Sequence, residues 1–161
     1  MTLAPLLTAS PAIQIHVALA LVALFLGPFV LRRQRRDRVH KVLGYVWVCA
    51  LGGAALVSFA ITSPFTPIGL SLIHLLSVYA LFGIYVAMRA IYRRDVAIHR
   101  QVMQNLYVRG AALAGAFNFL PGRTVQRILI PDTPALGYVV IAAVLLWAFW
   151  PIVRRRRVAR A

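Results

Sequence analysis

Four histidines, His16, His40, His74 and His99, carry the most informative spacing in the chain. His16 and His40 lie 24 residues apart, and His74 and His99 lie 25 apart. His40 follows Arg35-Arg36-Asp37-Arg38-Val39 and precedes Lys41, whereas His99 follows Arg93-Arg94-Asp95-Val96-Ala97-Ile98 and precedes Arg100. Each copy reads R-R-D, a short gap, then His and a base. Neutral imidazole ligates haem iron well, carries protons, and also serves as a plain hydrogen-bonding strut. Two His pairs at two depths of a helical bundle have the layout that holds two stacked haems, each by two axial imidazoles. There is no C-x-x-C-H motif, so covalent c-type attachment is excluded. A bare metal ion is less favoured, because no carboxylate or thiolate stands near the histidines to complete a first shell. Haem ligation and a structural or proton-handling role both stay open.

The elements that position these residues are membrane helices. The chain has 161 residues, is 61% hydrophobic and only 13% charged, and carries a net charge of +15. A soluble domain averages roughly 45–50% apolar and 25% charged residues. A water-soluble fold and a disordered chain are therefore both excluded. A basic nucleic-acid binder needs its charge on a folded, wet surface, and here the bases cluster between apolar runs. Five apolar stretches, 11–31, 42–62, 69–91, 102–121 and 136–153, approach the roughly 20 residues that cross a bilayer as helix. Pro11 suits a first helical turn. Ser63-Pro64-Phe65-Thr66-Pro67, Pro121-Gly122, Pro131 and Pro134 punctuate the chain. Tyr92, Trp147 and Trp150 sit where interfacial aromatics belong. Cys49, inside an apolar run, is expected to be a small core residue.

The basic residues set the orientation. Arg32 to Lys41, Arg93 to Arg100 and the tail Arg154 to Arg160 fall on one side, against Arg123 and Arg127 on the other. Positive residues stay cytoplasmic, which predicts N-out/C-in across a bacterial inner membrane, with contacts to anionic lipid headgroups. The uncharged start of the chain lacks the basic leader of a cleaved signal peptide. The expected fold is an all-α multi-pass bundle, one domain over 1–161. It has a four-helix core from two repeated hairpins, a fifth helix, and a basic tail over 154–161.

In that core, His16 and His74 would form an outer site and His40 and His99 an inner one. Small residues give room: Ala20, Ala23 and Gly27 below His16, Gly44, Ala54 and Ala55 beyond His40, and Gly110 and Ala114 beyond His99. Below His74 the face reads bulkier, with Val78, Leu81 and Tyr85. Arg100 and Lys41 would offset haem propionates. Arg109 falls about 15 Å along the helix from His99, near mid-membrane, where a lone charge costs several kcal/mol. It would meet a propionate, a quinone oxygen, a lipid phosphate or polar neighbours. Arg89 is expected to snorkel.

Leu26-Gly27-Pro28 after the first His, His40-Lys41-x-x-Gly44, the third-helix His, and His99-Arg100-x-x-Met103 running to Tyr107-x-Arg109 together resemble a bacterial family. It is the family of predicted membrane proteins called domain of unknown function 2306. The resemblance covers roughly residues 12–130. The family's first motif is usually His-Arg, and His40-Lys41 departs from it while keeping the charge. Membership implies a multi-pass membrane protein and no set activity. The His layout is also similar to that of cytochrome b-561 type carriers, where four helices hold two b haems, as an analogy of layout.

Three function classes follow from these residues. The first is a di-haem b-type electron carrier, linking a quinol or small reductant to a redox partner. The second is a cofactor-free accessory or assembly subunit of a larger complex. The third is a small proton-coupled carrier using the histidines and Arg109. If the chain catalyses a reaction, oxidoreduction is expected rather than hydrolysis, since no span holds a carboxylate and no Ser or Cys has a clear base beside it.

Overall fold

The computed structural model describes residues 4–33, 35–61, 72–121, 123–129, 132–133, 135–144 and 146. All regular structure among the described residues is helical. The elements are α1 (Ala4–Leu7), α2 (Pro11–Arg32), α3 (Arg38–Ser58), α4 (Leu72–Tyr92) and α5 (Val96–Asn105). A π-helical segment (Leu106–Ala111), α6 (Ala112–Asn118), α7 (Thr124–Leu129) and α8 (Ala135–Val144) complete them. By length and composition, α2, α3 and His74–Tyr92 of α4 can cross a membrane.

Three of the five expected spans are therefore present as long apolar helices. The second starts earlier than expected, at Arg38 rather than 42, and the fourth starts at Val96 rather than 102. In both cases an aspartate caps the helix start. The fourth is also interrupted by the wide turns of the π segment, a local irregularity that hydrophobic periodicity does not report. Of the expected helix over 136–153, the described part is α8, and residues 145 and 147–153 lie outside the described residues. Trp147, Trp150, the Ser63–Pro67 break and the tail over 154–161 lie outside the described residues.

The chain divides into two compact units, Ala9–Gly110 and a second made of Met1–Thr8 with Ala111–Ala161. In the second unit α7 packs on α1 and on α6. A Cβ on Gly137 would stand 2.2 Å from the Phe119 carbonyl oxygen, so α8 approaches that backbone only because residue 137 is glycine. In the first unit α2 packs on α3, α3 on α4, α4 on α5, and α5 on α2. Its core is Trp47 with Ala23, Ala50, Ala87, Met103 and Leu106. Alanines at the contacts let helix backbones come close, as helices in lipid require. Phe25, Phe29 and Phe82 are exposed, which suits lipid rather than water. Cys49 is exposed too, contrary to expectation. The buried stripe of α3 runs through Trp47, Ala50 and Ala54, and Cys49 falls off that stripe.

One contact explains the Gly27-Pro28 pair. Pro28 lies inside α2 and has no N–H, so the carbonyl of Leu24, four residues back, loses its helical donor. The Tyr107 hydroxyl donates to Leu24 O at 3.0 Å instead. Its ring fills the notch at Gly27, where a Cβ would meet Tyr107 Cε2 at 2.4 Å. One turn away, Trp47 Nε1 donates to Ala23 O at 2.8 Å. Gly27 therefore makes room for Tyr107, which corrects its expected part in a cofactor space.

Candidate functional site

Both R-R-D repeats are helix starts. Asp37 caps α3, its carboxylate accepting from the His40 amide at 2.9 Å, and Asp95 caps α5, accepting from the Ile98 amide at 3.0 Å. Arg33 donates two hydrogen bonds to Asp37. That pairing, with the His40 amide next in effect, holds the Asp37 carboxyl well below the usual carboxylate range. Before Asp95, α4 closes with Arg94 in the left-handed region at φ 64°. The Asp95 amide bonds Ala90 O at 2.9 Å and the Arg94 amide bonds Ile91 O at 3.0 Å, which satisfies the carbonyls at the end of α4. The aspartates thus fix His40 and His99 in the first turns of α3 and α5.

Both rings line one cavity of about 320 Å³, at the end of the first unit where α2 and α4 finish and α3 and α5 begin. Its apolar wall is Val30, Leu31, Trp47, Met88, Ile91 and Met103. Its rim carries Arg33, Arg35, Arg36, Lys41 and Arg100. His99 Nδ1 lies 2.9 Å from Ala87 O. A carbonyl only accepts, so Nδ1 carries a proton and donates it to Ala87 O. His40 Nδ1 is buried with no hydrogen-bond partner among the described residues. Gly44, one turn beyond His40, lines the same cavity and has room for a Cβ, which would make ordinary contact with Val30 Cγ1 at 4.0 Å. Four of the expected site residues, His40, Lys41, His99 and Arg100, are brought together here.

The expected outer residues lie elsewhere. His16 Nδ1 donates to Ala54 O of α3 at 2.8 Å. His74 is buried and packs on Phe59, ring centroids 5.6 Å apart. Beside it Ser58 and Ser77 share a buried hydrogen bond of 2.6 Å, and Ser58 donates on to Ala55 O. Both outer histidines therefore bear on the last turns of α3. The face below His74 differs from expectation. Val78 and Tyr85 are exposed, and the buried continuation is Ser77, Gly83, Ala87 and Ala90. Arg109 sits half-buried on the π segment, outside the cavity lining. Arg89 is exposed and donates to the Tyr85 hydroxyl at 3.1 Å, as a snorkelling base does.

Sequence reasoning missed Trp47, the rim residues Arg33, Arg35 and Arg36, and the Ser58–Ser77 pair. The three arginines had a signal, since Arg35 and Arg36 are the R-R of the first repeat and Arg33 stands just before it. The serines had none beyond their rarity in apolar runs. Among the described residues no three His, Cys, Asp or Glu side chains converge as a metal cluster.

A family model described as predicted membrane protein (DUF2306) matches residues 13–147, most of the chain. The chain belongs to that family. Neither a curated protein nor a solved structure matches it.

Proposed function

As a member of this membrane-protein family, the chain is, we propose, a b-type electron carrier of the bacterial inner membrane. Its principal haem site is the cavity between His40 and His99. The carrying observation is that one cavity joins two imidazoles on different helices to an apolar wall and a cationic rim. The residues fit the group in three ways. The His99 Nδ1–H···Ala87 hydrogen bond is the backbone tether that orients a metal-ligating imidazole. His40 offers a buried ring nitrogen without a partner among the described residues. Gly44 leaves space that a side chain would occupy. The volume lies at the low end of the roughly 300–1,000 Å³ of small-molecule sites.

His40 and His99 would hold the iron, and Lys41 and Arg100 would receive the propionates. A bound haem supplies a one-electron couple. The chain's own part is to fix the imidazoles, exclude water with Trp47 and Met103, and offset anionic charge at the rim. The outer pair, His16 and His74, is the second haem site of this reading, supported by the same kind of tether at His16. In this proposal α2 to α5 close a four-helix core with the cavity facing the cytoplasm, N-out/C-in, and a quinol and a redox partner meet the two faces.

The competing reading, a cofactor-free accessory subunit, takes the two imidazole–carbonyl bonds as struts between helices. Haem-supplemented expression of single variants separates the two. His40→Ala and His99→Ala are expected to lose one haem per chain while keeping the other, and His16→Ala and His74→Ala the reverse. Folded protein with four unchanged spectra rejects the ligand assignment.

A further inference from the structure

We infer that the cavity at the start of α3 and α5 selects an apolar ligand bearing two acid groups, admitted at Gly44 and read by Lys41 and Arg100 with Arg35 and Arg36. The inference deepens the haem reading of the same cavity, yet rests on features that need no iron.

The first feature is charge. Five cationic side chains rim the cavity. Asp37 neutralises one of them, Arg33, through a paired hydrogen bond. The other acid nearby, Asp95, is engaged as the cap of α5. Four cations thus stand over one apolar hollow without a protein carboxylate among the lining residues. Like charges brought together repel, and an anionic ligand relieves this with charge-assisted hydrogen bonds. Four cations, Arg35 and Arg36 from the turn after α2 and Lys41 and Arg100 from the helix starts, suit two acid groups better than one.

The second feature is shape. Gly44 follows His40 by four residues, on the same helical face. Its built Cβ meets nothing nearer than 4.0 Å, unlike Gly27 and Gly83, whose notches are filled by Tyr107 and Leu106. Gly44 lines the cavity, with Val30 of its wall at ordinary contact distance from that Cβ. A larger side chain there occupies ligand volume beside Val30.

Haem propionates and an acidic phospholipid headgroup share this chemistry. The test separates them and separates both from the haem reading. The probe is metal-free protoporphyrin IX, added to the detergent-solubilised W147F/W150F chain, whose remaining tryptophan is Trp47 in the cavity wall. The diacid is expected to quench Trp47 saturably. Its dimethyl ester should bind about tenfold more weakly or worse, as lost charge-assisted hydrogen bonds dictate. Gly44→Leu should abolish quenching, and the Lys41→Ala/Arg100→Ala double variant should weaken the diacid and leave the ester unchanged. Ester binding equal to the diacid, or full quenching in Gly44→Leu, overturns the inference. Displacement by phosphatidic acid but not phosphatidylcholine assigns the acid pocket to a lipid phosphate. Displacement by neither assigns it to porphyrin carboxylates, and equal displacement by both overturns it. Quenching by protoporphyrin without a low-spin spectrum from haemin sinks only the haem reading.

Discussion

Tyr107 replaces, on one carbonyl, what Pro28 removes. Pro28 strips Leu24 O of its donor, and the phenol supplies another at 3.0 Å. Tyr107→Phe should lower stability in detergent by about 1 kcal/mol, the usual net worth of such a bond. In a Pro28→Ala background the restored amide takes over Leu24 O, so the same change should cost clearly less. Equal losses in both backgrounds, read as a double-mutant cycle of thermal unfolding, would show that the hydroxyl does not serve that carbonyl. Gly27→Ala should cost more than Tyr107→Phe, about 1–3 kcal/mol, because its Cβ enters the phenol ring. Asp37 gives a pH test at the same scale. Arg33 and then the His40 amide depress its folded value. The charged form therefore favours the folded loop above the ordinary carboxylate value of about 4, and that contribution fades as pH falls from there toward the depressed folded value. Wild-type melting temperature should drop faster on acidification below about 4 than that of Asp37→Asn, and parallel curves would contradict this.

At the scale of elements, the repeated hairpin is a repeat of caps. Asp37→Ala and Asp95→Ala should each lower the melting temperature, as the loss of a helix cap does, and Asp37→Ala should also loosen the proposed haem site because it positions His40. Arg94→Gly should stabilise the α4–α5 turn by about 1 kcal/mol, since φ 64° strains a side chain. Much of this was legible. The R-R-D-…-H spacing places His40 and His99 at equivalent helix starts, and both reach one cavity with Lys41 and Arg100. Other parts were not. The π segment at Leu106–Ala111 leaves no mark on apolar periodicity, yet Tyr107 sits in it. Gly27 read as open space because a sequence does not say which neighbour fills a notch. Val78 and Tyr85 read as inward because one buried His does not fix the azimuth of a helix whose other positions are mostly apolar. Cys49 went the same way.

At the scale of the molecule, three long apolar helices and family membership make this a membrane protein. In the first unit the bases Arg32 to Lys41 and Arg93 to Arg100 gather at the end where the cavity opens, and the positive-inside rule turns that end to the cytoplasm in our account. In that account the same charge orients the chain and surrounds the proposed ligand, so orientation and recognition draw on one set of arginines and lysines. The central claim is that His40 and His99 clasp a haem there. Its most direct test is the absorption spectrum of the purified protein in detergent, expressed with haem supplied, oxidised and then reduced with dithionite. The account predicts a sharpened α band and a shifted Soret band of low-spin, bis-imidazole haem, at near two haems per chain. A folded, colourless protein that takes up no added haem would contradict it.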